Sequence, residues 1–277
     1  MSVSGSPRFL IGVSHKMYFS HAKTVDWCRK VAAIAGEHPA LADGAAELFV
    51  IPSYLSIPAA LDAFGPLALV GAQDLSTEDS GAYTGEVSGA EIAELGCRVV
   101  EVGHAERRRL FGETETIVAA KTDAALRNGL DPVLCIGETV RTTTDAAIGD
   151  CIAQVNSALD ASRQAGHSGR VIVAYEPHWA IGAPEPASPD YIREVCGALR
   201  EHVRSLTDFP DSAVIYGGSA GPGLLSVIAD SVDGIFLGRF AHDPDALRAI
   251  LDEAAEAANS SASAGTLGTD APRRSNA

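Results

Sequence analysis

Eight polar side chains close short apolar runs along this chain: Ser14, Lys16, Gln73, His104, Glu138, Glu176, Ser219 and Arg239. Charges that merely terminate strands explain one or two such placements. They do not explain a set that supplies a base, an electrophile and ligands for a phosphate. A carboxylate and an imidazole brought to one place can move protons, and cations beside them can hold an anion.

Such a set needs a scaffold that gathers strand ends. Candidate strands are Phe9–Val13, Leu48–Ile51, Leu67–Gly71, Arg98–Val102, Val133–Ile136, Val171–Tyr175, Ala213–Tyr216 and Gly234–Leu237. Several are nearly unbroken Val, Ile and Leu, as expected of parallel strands covered on both faces. Amphipathic stretches lie between them: Thr24–Ala35, Thr116–Arg127, Asp145–Ser162 and Ser188–Leu206. Asn128-Gly129 and Gly36 mark helix stops, and Ser188-Pro189 marks an N-cap followed by a first turn. Eight strands alternating with helices in 277 residues predict a single closed (β/α)8 barrel rather than an open doubly wound sheet. The barrel is assigned to residues 8–258. The Ser/Ala/Gly/Thr-rich stretch 259–277 lacks periodicity and is expected to be a disordered tail. Barrels of this kind build their sites at the C-terminal strand ends, where the eight polar residues fall.

Bulk properties exclude several partners. A formal net charge of −15 argues against nucleic acid and anionic membranes, and an anionic substrate must find a local positive site. The five cysteines, Cys28, Cys97, Cys135, Cys151 and Cys196, form no C-x-x-C pair and read as reduced thiols of a cytosolic protein. Met1 to Pro7 has no apolar signal region, and no run is long enough to span a membrane. Histidines and carboxylates lack metal-ligand spacing, and no dinucleotide fingerprint follows the first strand. No cofactor is expected.

Longer segments carry a family resemblance. Gly103-His104-Ala105-Glu106-Arg107-Arg108 resembles the G-H-S-E-R-R segment of triosephosphate isomerases. Ala174-Tyr175-Glu176-Pro177-His178-Trp179-Ala180-Ile181-Gly182 is similar to their A-Y-E-P-V-W-A-I-G segment. Leu134 to Thr139 and Tyr216-Gly217-Gly218-Ser219 resemble two further blocks, the second a phosphate loop. Gly81 to Glu86 is similar to the loop those dimers insert into a neighbour. The blocks keep the family's order from about Phe9 to Leu247.

The resemblance implies a cofactor-independent aldose–ketose isomerisation through an enediol. Glu176 would remove a proton beside a carbonyl, its basicity raised by a dry pocket. His104 would polarise the carbonyl as a neutral imidazole at a helix N-terminus and shuttle a proton between the two oxygens. The triosephosphate isomerases themselves are the usual example of that pairing. Lys16 would be a fixed positive charge beside the enediolate and the phosphate. Gly217, Gly218, Ser219 and Gly238 would bring backbone N–H groups to the phosphate, with Gly182 added when the segment from Pro177 to about Ala187 closes as a lid. Glu106 either pairs with Lys16 or organises a subunit contact, and Cys135 packs in a strand. A homodimer through the Tyr83–Glu86 loop follows, with Thr84 near the other subunit's site.

Several positions depart from the family pattern. Ser14 stands where asparagine is common, Ala105 where serine is common, His178 where valine is common, and Arg239 where a glycine is usual. The segment Ala183-Pro184-Glu185-Pro186-Ala187-Ser188 lacks the G-K-T-A pattern. These changes resemble a branch that interconverts L-erythrulose 1-phosphate and D-erythrulose 4-phosphate. Ser14 and Ala105 would make room for one extra hydroxymethyl group, while Arg239 would hold the phosphate or reshape that edge. The alternatives are a glycolytic triosephosphate isomerase with tolerated variation and, more distantly, a non-catalytic phosphosugar-binding barrel.

Overall fold

The computed structural model describes residues 9–181 and 187–266, with 261–266 described by backbone alone. In the first half, β1 (Phe9–Ser14), α1 (His21–Glu37), α2 (Pro39–Ala42), β2 (Ala46–Ile51), α3 (Ile57–Phe64), β3 (Leu69–Ala72), α4 (Gly89–Glu94), β4 (Val99–Val102), α5 (Ala105–Phe111) and α6 (Glu115–Arg127) follow in order. Then come β5 (Asp131–Ile136), α7 (Thr144–Ala165), β6 (Ile172–Tyr175), α8 (Pro189–Arg204), β7 (Ala213–Tyr216), α9 (Leu224–Ile228), β8 (Gly234–Leu237) and α10 (Pro244–Thr266). The strands pair in parallel as one ring, which β1 closes by pairing with both β2 and β8. The fold is the (β/α)8 barrel.

The alternation of the strands explains why the ring closes. Inward positions Leu10, Phe49, Val99, Val133, Ile172, Ile215 and Phe236 form a cluster inside the barrel. Outward positions such as Val50, Val100, Leu134 and Val214 pack in the cluster that includes the surrounding helices. Each such aliphatic side chain contributes about 2 kcal/mol when fully buried. Phe49 and Phe236 stack with centroids 5.7 Å apart. They meet across Gly12, where a Cβ would stand 2.1 Å from the Phe49 ring. Any larger residue there would push the two rings apart and strain a packed core.

Helix ends follow local chemistry. Ser20 caps α1 through the Lys23 N–H, Thr114 caps α6, and Thr143 caps α7. Helix α1 runs through Gly36 and stops at His38, ahead of Pro39, so proline ends it where glycine was expected to. At the other end of the chain the backbone stays helical to Thr266, past Asn259 where helical pattern was expected to end. Alanines and serines tolerate helix there without an apolar stripe. Residues 267–277 lie outside the described residues. No helix among the described residues is long and apolar enough to cross a membrane.

Candidate active site

Strand β6 ends at Tyr175 and delivers Glu176 to the C-terminal mouth of the barrel, where its N–H bonds the Ile136 carbonyl at 2.7 Å. The side chain is only 3% exposed. Its Oε2, 3.4 Å from His104 Nε2, makes no hydrogen bond among the described residues. Burial pushes the carboxyl up to about 8; Lys16 opposes the rise, while Glu101 and Glu106 add to it. A carboxylate held this way is a stronger base than one in water.

His104 follows β4 and caps α5. Its Nδ1 accepts the Glu106 N–H at 3.1 Å, so in the neutral ring the proton sits on Nε2. Nε2 lies 3.4 Å from Glu176 Oε2 and 3.8 Å from Glu101 Oε1. Burial first, then the charges of Lys16, His178 and Arg107, pull the imidazole down to about 3. It is therefore neutral and presents an N–H to the cavity.

Lys16 follows β1 with a positive φ of 47°, one of two such non-glycine residues among those described. That backbone conformation costs about 1 kcal/mol or more, and the surrounding structure enforces it. Gln73, at the end of β3, donates to the Lys16 carbonyl at 2.9 Å. The ammonium meets Glu106 Oε1 at 3.0 Å, so Glu106 pairs with Lys16 within the chain. Burial alone would lower the Lys16 pKa; Glu176, Glu106 and Glu101 outweigh it and raise it. Behind the site, Arg107 and Lys121 share the carboxylates of Asp74 and Glu113 at 2.6–2.7 Å, locking α5 and α6 together and so fixing His104.

These groups open into a cavity of about 840 Å³. Ser14, Lys16, His104, Ala105, Glu176, Gly217, Gly218, Ser219, Gly238 and Arg239 all line it. The structure thus gathers the expected catalytic and phosphate-binding residues except Gly182, which lies outside the described residues together with 183–186 of the expected lid. Gly217 to Ser219 and Gly238 follow β7 and β8 at the cavity wall, with Gly217 against the Glu176 side chain. Helix α9 begins only at Leu224, so Ala220, Gly221, Pro222 and Gly223 separate it from the phosphate-loop residues. Arg239 opens a short 3-10 turn, Arg239–His242, at the cavity edge. Among the described residues no three His, Cys, Asp or Glu side chains cluster as metal ligands.

Two strand-end residues do not join the lining. Gln73 acts on the Lys16 backbone, and Glu138 accepts hydrogen bonds from Tyr175, Trp179 and Tyr191 at 2.8–3.1 Å. Cys135 is buried with its thiol raised by desolvation, which suits packing and not attack.

One residue escaped the sequence reading. Glu101 sits inside β4, 3% exposed, and its Oε2 accepts the Ser14 hydroxyl at 2.9 Å. Burial pushes it up to about 7, with Lys16 and the Ser14 hydrogen bond opposing. The signal was present: Val99 and Glu101 share the inward face of β4, so the carboxylate points into the barrel.

A parallel eight-stranded barrel with a desolvated carboxylate, a neutral imidazole and a half-buried ammonium at its C-terminal mouth has the groups that a proton-transfer isomerase needs. Residues 9–254 match the family described as "Triosephosphate isomerase". The chain is 52% identical over 250 residues to the L-erythrulose-1-phosphate isomerase of Pectobacterium atrosepticum, covering 90% of this chain and 96% of that one. It is 41% identical over 202 residues to the triosephosphate isomerase of Cutibacterium acnes, covering 69% and 77% respectively. A second L-erythrulose-1-phosphate isomerase, from Mesorhizobium japonicum, is 35% identical over 262 residues, with 90% and 98% covered. The chain belongs to the triosephosphate isomerase family and is an isomerase.

Proposed function

We propose that the protein interconverts L-erythrulose 1-phosphate and D-erythrulose 4-phosphate through an enediol(ate), with Glu176, His104 and Lys16 as its catalytic residues. The observation that carries the chemistry is the neutral His104, whose Nε2–H stands 3.4 Å from the buried Glu176 carboxylate. The choice of substrate is supported by the relative at 52% identity, an L-erythrulose-1-phosphate isomerase.

In the forward direction Glu176 removes the proton from C3 of L-erythrulose 1-phosphate. The C–H electrons form the C2=C3 bond, and the ketone oxygen at C2 becomes the oxyanion. Lys16 and the His104 Nε2–H stabilise that charge in a site where neither has to reorganise. His104 gives its proton to the oxygen on C2 and takes one from the oxygen on C3. Protonated Glu176 then delivers its proton to C2, leaving the carbonyl at C3. The proton count balances within the site, so no cofactor is required. Gly217, Gly218, Ser219 and Gly238 hold the phosphate end, and Arg239 supplies a cation there; Gly182, expected to join them, lies outside the described residues.

The deciding assay is kcat/KM of the purified protein on L-erythrulose 1-phosphate and on D-glyceraldehyde 3-phosphate in one buffer. Preference for the tetrulose is expected. Preference for the triose would make the protein a glycolytic triosephosphate isomerase, and inactivity on both would leave a binding barrel.

We further infer a homodimer through the Tyr83–Glu86 loop, with Thr84 near the partner's site. Met17 is 95% exposed, Leu55 86% and Phe111 68%, and Tyr83 is also exposed. They follow β1, β2, β4 and β3, so one side of the barrel mouth carries apolar surface that a second copy would cover. The catalytic domain is taken as residues 8–258, and five free, buried cysteines support a cytosolic location.

A further inference from the structure

Ser14 lines the cavity while giving its only hydroxyl proton to Glu101 at 2.9 Å. A hydroxyl so committed keeps only lone pairs for a ligand, so Ser14 faces the cavity as an acceptor. That polarity is wrong for the reacting oxygens. Both gain negative charge during the reaction and need donors, which Lys16 and the His104 Nε2–H supply. An acceptor with a carboxylate behind it would repel an oxyanion. It suits a substrate hydroxyl that stays neutral throughout. A three-carbon substrate has no such group, because its oxygens are the phosphate ester and the two reacting ones. A four-carbon ketose phosphate has one, on the carbon beyond the reacting pair.

We propose that Glu101, acting through Ser14, is the positioning residue that makes this site accept that extra primary hydroxyl and so selects four-carbon over three-carbon ketose phosphates. The inference rests on the isomerase reading above and adds to it the group that reads chain length. Glu101 is placed for this by strand alternation alone, one inward position above Val99 of the barrel interior. Its other oxygen lies 3.8 Å from His104 Nε2, so the carboxylate stands between Ser14 and the imidazole.

The test compares Glu101→Val and Glu101→Gln with wild type on L-erythrulose 1-phosphate and on D-glyceraldehyde 3-phosphate. Glutamine still offers an oxygen to the Ser14 hydroxyl; valine does not. Valine should lower the tetrulose-to-triose ratio of kcat/KM by about tenfold, the size of one lost hydrogen bond, mainly through KM for the tetrulose. Glutamine should restore the ratio to within about threefold of wild type. Ser14→Ala should reproduce the valine ratio and, combined with Glu101→Val, add nothing further. It carries the same test should the valine protein fail to fold. An equal fall on both substrates, or an unchanged ratio in Glu101→Val and Ser14→Ala, overturns the inference while the tetrulose activity of wild type stands. Absence of tetrulose turnover in wild type overturns both readings at once.

Discussion

A methyl group built on Gly217 would stand 2.8 Å from Cγ of Glu176 and 2.9 Å from its Oε1. The side chain that Gly217 lacks is the space the candidate base occupies. Gly217→Ala is therefore expected to fold, because the clash is with a side chain at the cavity wall, but to displace the carboxylate. Displacement of a reacting group by about 1 Å costs on the order of a hundredfold in kcat. Steady-state kinetics with an unchanged circular dichroism spectrum would check this, and near wild-type turnover would mean that Glu176 has room to spare.

Glu176→Asp draws the carboxylate back by one methylene without changing its charge. If Glu176 is the base, kcat should fall by about 10²–10³ while KM stays within a few-fold. A kcat near wild type would remove Glu176 from that role.

The base works unprotonated, so activity should climb with pH toward a plateau above about 8, the value to which burial pushes Glu176. His104, held down near 3, stays neutral across that range and adds no limb of its own. Glu101 and Glu106 both raise Glu176, and Lys16 lowers it. Glu101→Gln should thus move the midpoint of the kcat profile to lower pH, and Lys16→Met should move it up in whatever activity remains. A midpoint that ignores the Glu101 charge would separate the two carboxylates electrostatically.

The same two carboxyls make stability fall with pH. Each has a folded value above the ordinary glutamate value of 4.5, at about 7 for Glu101 and about 8 for Glu176. Their favourable contribution is complete below pH 4.5 and is lost as pH rises through those folded values. Glu176→Gln should accordingly raise Tm relative to wild type at pH 8.5 and leave it nearly unchanged at pH 4.5. Each kcal/mol recovered is worth about 2–4 °C in a domain of this size. Equal shifts at both pH values would point to packing instead of charge.

The apolar residues around the mouth give a hydrodynamic prediction. Light scattering at micromolar concentration should return twice the chain mass, and Leu55→Asp should shift it toward one chain with a loss of activity. A fully active monomer would leave Met17, Leu55 and Phe111 without a partner of this kind.

Much of this was legible in the sequence for a physical reason. Strands such as Val171–Tyr175 and Ala213–Tyr216 are covered on both faces, so their composition declares them. The site residues sit at strand ends, where a charge interrupts an apolar run and stands out. Glu101 was not legible in the same way, because a carboxylate within a run reads as a solvent-facing position. Only closure of the ring turns the inward face of β4 into buried space. Gln73 and Glu138 mark the opposite error: both end strands, yet their side chains serve the backbone of Lys16 and the aromatic groups around β6. Position at a strand end does not say which way a side chain turns.

The Phe49–Phe236 stack and the inward row above it have a consequence for how such an enzyme changes over time. Strand residues reach the cavity wall as well: Ser14, Phe236 and Leu237 line it beside the groups carried by the segments that follow the strands. Changes confined to the outer part of the mouth would leave those strand positions untouched. Conversely, one substitution at an inward strand position alters what the catalytic groups rest on without touching any of them. Substrate range in this fold can therefore be altered from within the barrel wall, without replacing any group that does the chemistry.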